Sequence, residues 1–225
     1  MKIGILGTGN MGRSLGLRWR EAGHEVFFGS RTPEKAKAVA GESSQGGTYD
    51  EAVKFGDVIL HTVRGIVPSK LLSSISALDN KIVIDLNNRS IPPGFEYDPI
   101  AGPSLVEQVA ADVPKARVVK AFNTLAQEVF EHDHHTLRTE SVSVYVSSDD
   151  ASARATVMGL ASDLGFVPVD CGRLRNARLL ESLADLVRLL IIDQKRGPYM
   201  TINVRHLSAI TNPRLGGRQP SELDS

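Results

Sequence analysis

Short apolar runs alternate with amphipathic helical stretches along most of this chain. Ile3–Leu6, Val26–Phe28, Val58–Val63, Ile82–Leu86, Val118–Phe122, Val142–Val146 and Phe166–Val169 read as strands. The runs at Ile3, Val58 and Ile82 are almost wholly apolar, as strands covered on both faces are. Between them, Asn10–Ala22 reads as a helix, another starts at Pro33, and Ala151–Leu164 places Ala155, Met158, Ala161 and Leu164 at helical spacing. This alternation predicts an α/β fold with a doubly wound, mainly parallel sheet. Beyond the last strand, Leu174–Ile192 carries Leu179, Leu183, Leu186 and Leu190 at helical spacing, and Thr201–Val204 alternates like a short strand. The expected layout is a sheet domain over 1–172 and a small helical C-terminal extension over 173–225. That extension comprises a helix, a short returning strand and a polar tail, with Asn212–Ser225 mobile by composition.

The first strand ends in Gly7-Thr8-Gly9-Asn10-Met11-Gly12, and a helical pattern follows at once. In this context Gly7 makes the turn out of the strand, Gly9 lets a pyrophosphate approach the backbone, and Gly12 lets helix and strand pack closely. The helix N-terminus adds free N–H groups and partial positive charge. The alternative is an ordinary glycine-rich turn; strand and helix on either side favour a Rossmann-type dinucleotide site. The second strand ends in Gly29-Ser30-Arg31-Thr32-Pro33-Glu34-Lys35, without a carboxylate at its tip. An acidic residue there binds the ribose hydroxyls of NAD. A guanidinium with a nearby hydroxyl and ammonium suits the 2′-phosphate of NADP(H) instead. Thr32 reads as a helix N-cap and Pro33 as the first helical residue.

Ligands of open α/β sheets sit beyond the carboxyl ends of the strands. The loops there are His61-Thr62-Val63-Arg64-Gly65, Asp85-Leu86-Asn87-Asn88-Arg89 and Phe122-Asn123-Thr124-Leu125-Ala126. They are rich in neutral hydrogen-bonding groups. That suits hydride passage, which needs orientation more than proton shuttling. Asn87, Asn88 and Asn123 also fit a plain turn-closing role. No catalytic acid or base is assigned. His61 is read as a structural histidine and Cys171 as a bystander thiol. His132, His134 and His135 are read as a solvated loop, so no metal site is expected.

Composition narrows the partners. Lys plus Arg and Asp plus Glu number 26 each, so no global field draws in nucleic acid or an anionic membrane. A single cysteine rules out an intramolecular disulfide. With no targeting segment expected ahead of Lys2 and no membrane-spanning run, a cytoplasmic protein is expected. The leucine stripe of the late helix suggests a homodimer.

Several segments together resemble a known group: the glycine motif, Gly29-Ser30-Arg31, Val118-Val119-Lys120-Ala121-Phe122-Asn123, and Leu164-Gly165-Phe166-Val167-Pro168-Val169-Asp170 with Gly172-Arg173-Leu174. The chain looks like the NADPH-dependent reductases of the deazaflavin coenzyme F420. It is also similar to the cytosolic oxidoreductase domain of the STEAP-type metalloreductases. The resemblance implies that Thr8–Met11 hold the pyrophosphate and that Ser30, Arg31 and Lys35 hold the 2′-phosphate. It implies that Thr62 and Val63 line the nicotinamide half, that Asn123–Gln127 meet the ring, and that Thr201–Asn203 complete an acceptor pocket. Arg64-Gly65 and Asn88 depart from the deazaflavin reductases on the acceptor side.

The expected function is hydride transfer between NADPH and a small redox acceptor, either coenzyme F420 or FMN/FAD. Arg64, Thr201 and Asn203 are expected to face that acceptor. Alternatives are an imine or carbonyl reductase of the pyrroline-carboxylate reductase type and a non-catalytic NADPH-sensing protein.

Overall fold

The computed structural model describes residues 1–43, 45–92, 97 and 102–208. Eight strands and seven α-helices follow in chain order: β1 Lys2–Leu6, α1 Asn10–Glu21, β2 Glu25–Gly29, α2 Pro33–Ala40, β3 Gly46–Gly47, α3 Tyr49–Phe55, β4 Val58–His61, β5 Ile82–Asp85, α4 Leu105–Asp112, β6 Arg117–Lys120, α5 His134–Thr139, β7 Ser143–Val146, α6 Ala151–Ser162, β8 Val167–Asp170 and α7 Ala177–Arg188. The main sheet has the order β3-β2-β1-β4-β5-β6, and every pairing in it is parallel. β7 and β8 form a second parallel pair. It joins the main sheet where Lys120 and Ser147 exchange both backbone hydrogen bonds, at 2.9 and 3.1 Å. The expected Rossmann-type, mainly parallel architecture is thus formed.

β4, β5 and β7 are buried at every position, which explains why they are mostly apolar. One core layer holds Trp19, Phe122, Phe166 and Leu160 against the sheet. There the Trp19 indole N–H donates to the Leu160 carbonyl at 3.1 Å, and its ring meets Phe122 edge-on at 5.6 Å. The opposite layer joins Val53, Val83, Val106 and Val109 to Leu174 and Ala177, so the start of α7 packs on the sheet domain.

Three expectations change. The run Thr201–Val204 forms no strand. It lies beside β7 through side chains instead: the Ser143 N–H donates to Asn203 Oδ1 at 3.0 Å and the Tyr145 hydroxyl to the Ile202 carbonyl at 2.9 Å. Polar side chains there compete with a backbone ladder. The single helix expected over Leu174–Ile192 is a 3-10 turn at Leu174–Asn176, then α7, then a π-helical turn at Leu189–Asp193. His134 and His135 sit in α5, which Asp133 caps by accepting from Thr136 N–H at 2.7 Å. Among the described residues no His, Cys, Asp and Glu cluster is placed to hold a metal ion. Asn212–Ser225 lies outside the described residues.

α3 and α4 have no counterpart in the sequence reading, yet each starts with a capping box. Thr48 with Glu51, and Ser104 with Glu107, satisfy each other's orphan N–H groups. Those S/T-x-x-E spacings are visible in the sequence.

Candidate active site

The turn from β1 into α1 opens the site. Gly7 has φ 117°, a left-handed value that favours glycine, and its N–H donates to the Gly29 carbonyl at 3.0 Å. A Cβ on Gly12 would lie 2.2 Å from the Gly7 carbonyl oxygen, so only glycine lets α1 start this close to the strand. A Cβ on Gly9 would meet nothing within 4 Å. That empty side is where the first-turn N–H groups of α1 point outward. The cradle therefore has the shape a pyrophosphate needs.

A cleft of about 260 Å³ beside this turn is lined by Gly7, Thr8, Ser30, Arg31, Lys35 and Val63, among others. Arg31 and Lys35 are solvent-exposed. Ser30 is buried and its Oγ accepts from the Thr32 N–H at 3.2 Å, shaping the turn that presents Arg31. Thr32 occupies the N-cap position of α2 without a side-chain bond, and Pro33 opens the helix. Two cations without a carboxylate at the strand tip fit a 2′-phosphate.

A second cleft, of about 540 Å³, continues from Gly9 and Thr62 along the carboxyl edge of the sheet. Asn10, Met11, Gly12, Asn87, Asn123, Leu125 and Ala126 line it together with Arg64. Of the residues expected to contact the coenzyme, all but Thr124 line one of these two clefts. The Thr62 hydroxyl donates to the Leu6 carbonyl at 2.9 Å, fastening the tip of β4 to that of β1. Phe122 has φ 61°, an unfavourable value for a bulky residue, costing about 1–3 kcal/mol. This turn presents Asn123, which is buried and donates to Asn88 Oδ1 at 3.0 Å and to the Leu180 carbonyl at 2.9 Å.

A third cleft, of about 410 Å³, lies between these loops and α7 with its π turn. Its lining is mixed, with Ile91, Leu125, Ala184, Val187, Ile191 and Ile192 forming its apolar part. It shares Arg64, Asn88, Asn123, Leu125 and Ala126 with the 540 Å³ cleft. Arg89 lines it as well, but its guanidinium is held by Asp185 at 2.6 Å. Arg188 donates to the Tyr97 hydroxyl at 2.6 Å and lies 3.4 Å from Asp193. Thr201 and Asn203 are not among the residues lining either cleft; Asn203 is engaged at β7.

Beneath the clefts lies a buried charged group that the sequence reading missed. Lys120, inside an apolar strand, is fully buried. Its Nζ donates to Asp85 Oδ2 at 2.9 Å, to Glu181 Oε1 at 3.0 Å and to the Asn87 carbonyl. Asp85 Oδ1 accepts from Asn87 Nδ2 at 2.7 Å and faces His61 Nδ1 at 3.1 Å. The other nitrogen of His61 faces the Ile66 carbonyl at 2.9 Å. Nδ1 also lies 3.2 Å from Asn87 Nδ2, so both ring nitrogens are engaged. Burial pushes the Asp85 carboxyl up, but the Lys120 charge and then His61 outweigh it and hold the group at about 2. His61 is structural here, with both nitrogens occupied. Cys171 is half-buried, and burial first, then the Asp170 charge, raises its thiol above the usual range. That disfavours a reactive thiolate.

Comparison with known proteins follows the same lines. Residues 2–89 match the family model described as NADP oxidoreductase, coenzyme F420-dependent. The chain is 31% identical over 182 residues to metalloreductase STEAP3 of Rattus norvegicus, covering 81% of this chain and 36% of that protein. It is 29% identical over 209 residues to the F420-dependent NADP reductase of Methanothermobacter thermautotrophicus, covering 83% of this chain and 88% of the relative. In these comparisons the chain is similar to NADP-dependent oxidoreductases. A crystal structure from Arthrobacter sp. FB24, assigned as an F420-dependent NADP reductase, superposes with a TM-score of 0.76 at 26% identity. That match covers 92% of this chain and 100% of the other. The resemblance read from the glycine motif, Ser30-Arg31 and the Lys120–Asn123 segment is therefore found. The chain spans about a third of the length of the metalloreductases it matches. Among its described residues, no helix is long and apolar enough to cross a membrane.

Proposed function

We propose that this oxidoreductase passes hydride between NADP(H) and a flat deazaflavin or flavin acceptor. The observation that carries the reading is the wall shared by two clefts. The 540 Å³ cleft runs on from the glycine turn, and the 410 Å³ cleft lies under α7; both touch Asn88, Asn123, Leu125 and Ala126. Ligands in two clefts that open onto the same residues can meet face to face there for direct transfer, and orientation is the larger part of what such a reaction requires. When bound, NADPH supplies the hydride from C4 of its nicotinamide. The chain's own residues would do the rest. Gly7, Gly9 and Gly12 shape the phosphate cradle, Ser30, Arg31 and Lys35 select the 2′-phosphate, and Thr62, Asn87 and Asn123 face the nicotinamide half.

The apolar part of the 410 Å³ cleft suits a ring system. With Arg89 held by Asp185 and Arg188 tied to Tyr97 and Asp193, Arg64 is the exposed cation at the mouth of both clefts. It would meet an anionic tail of the acceptor. A cytoplasmic homodimer is part of the same proposal.

The test is NADPH oxidation, followed at the nicotinamide absorbance, with coenzyme F420, FMN, FAD, a ferric chelate and a cyclic imine offered in turn. Turnover with the deazaflavin or a flavin is expected. Arg64→Glu should raise the acceptor's KM and spare that of NADPH, and added salt should shrink the effect. Turnover with the imine alone would move the reading to an imine reductase. Tight NADPH binding without turnover of any acceptor would indicate a coenzyme-sensing protein.

A further inference from the structure

The Lys-Ala-Phe-Asn segment stood out in the sequence, yet Lys120 touches neither cleft. It is nevertheless among the largest fully buried side chains. Stability gives a weak reason for it: a buried ion pair is often worth no more than apolar residues of the same volume. The other contacts of each charged group give a better one.

His61 fixes the Ile66 carbonyl, which closes the loop carrying Thr62, Val63 and Arg64. Asp85 and Lys120 together bind Asn87 through its amide and its carbonyl. Glu181 comes from α7, whose later turns line the 410 Å³ cleft. Its carboxylate also accepts from the Leu105 and Val106 N–H groups at 3.1 and 3.3 Å, capping α4. One charged group thus ties the floor of the coenzyme cleft to the wall of the other cleft. The Lys120 ammonium lies between two carboxylates, so the buried charges are paired.

We propose that Lys120 and Glu181 are positioning residues that hold the nicotinamide end of the coenzyme against the 410 Å³ cleft. They act through Asn87 and α7 and do not touch the reacting atoms. The proposal rests on the hydride-transfer reading above.

Three variants test it: Lys120→Met, Glu181→Gln, and the two combined, which removes one charge of each sign. For each, NADPH affinity is measured by calorimetry, fold stability by thermal melting, and nicotinamide immobilisation by the emission enhancement of bound NADPH. Oxidation of NADPH is then followed with the best acceptor of the screen. The 2′-phosphate and pyrophosphate contacts lie elsewhere, so affinity should stay within about twofold of wild type, as for independent sites. The emission enhancement should fall to that of free coenzyme, and turnover should drop about 100-fold, the size expected of a misplaced reactant. Lys120→Met should melt early, and the combined variant should regain that loss without regaining emission or turnover. A folded variant with wild-type emission and turnover would overturn the proposal. So would a combined variant whose turnover returns together with its melting temperature, since the group would then be purely structural. Wild-type protein that fails to bind NADPH would instead overturn the hydride-transfer reading, before any variant is made.

Discussion

Asn88 and Asn123 hold each other twice. The Asn88 side chain donates to the Asn123 carbonyl at 2.6 Å, and the Asn123 side chain donates to Asn88 Oδ1 at 3.0 Å. This reciprocal clamp joins the loops after β5 and β6 where the two large clefts meet. Removing one partner from a buried pair costs about 1–3 kcal/mol. Asn88→Ala and Asn123→Ala are each expected to destabilise the protein by that amount. Their effects should be non-additive in a double-mutant cycle read by chemical denaturation. Additive effects would mean that the clamp is not an interaction in solution.

Arg31 is expected to set coenzyme choice. It is exposed beside Ser30 and Lys35 in the 260 Å³ cleft, where no carboxylate ends β2. Losing a charge-assisted phosphate contact costs about 1.5–3 kcal/mol, or roughly 10- to 150-fold in affinity. Arg31→Ala should weaken NADPH by that factor and leave NADH nearly unchanged in parallel titrations. Equal losses for both coenzymes would remove the 2′-phosphate assignment.

Gly9 and Gly12 should separate binding from folding. A Cβ on Gly9 meets open space, so Gly9→Val should keep its melting temperature while losing NADPH binding through obstruction of the phosphate cradle. A Cβ on Gly12 would strike the Gly7 carbonyl at 2.2 Å. Overpacking of this kind costs about 1–3 kcal/mol or more, so Gly12→Ala should melt early. A Gly9→Val protein that binds NADPH normally would place the pyrophosphate elsewhere.

Acid should loosen the buried charges through Asp85. Its carboxyl is held at about 2, below its ordinary 3.8. A depressed carboxyl contributes stability that is complete above the unfolded value and lost as pH falls through the folded one. The loss should therefore run from about pH 4 down to pH 2. Asp85→Asn should flatten that part of the stability curve. It should also cost about 3–5 kcal/mol at neutral pH, because a buried pair is broken beside Lys120. An unchanged acid limb would show that Asp85 does not govern it.

A homodimer is expected through the outer face of α7. Leu179 and Leu186 are 66% and 46% exposed, whereas Leu180, Ala184 and Val187 face inward and are buried. Sedimentation at micromolar concentration should show a dimer, and Leu179→Glu with Leu186→Glu should give a monomer. A wild-type monomer would count against the interface.

The sequence by itself determined the elements whose physics is local. Period-two and period-3.6 patterns located β1, β2, β4 to β8, α1 and α6 to within a few residues, because each buries its apolar face wherever it packs. The glycine motif was equally legible, since Gly7 and Gly12 answer to backbone geometry within a few residues of themselves. Thr201–Val204 had the alternation of a strand but only side-chain bonds to β7, because pairing depends on a partner edge that the pattern does not specify. The charged group was hidden for a related reason. Lys120 lies inside the run read as a strand and Glu181 inside the run read as a helix, and both are buried. Only the tertiary structure brings β4, β5, β6 and α7 together, so that Lys120 meets Asp85 and Glu181, with His61 against Asp85, beneath the clefts. Charge pairing over such separations is decided by topology, and a one-dimensional pattern does not carry it.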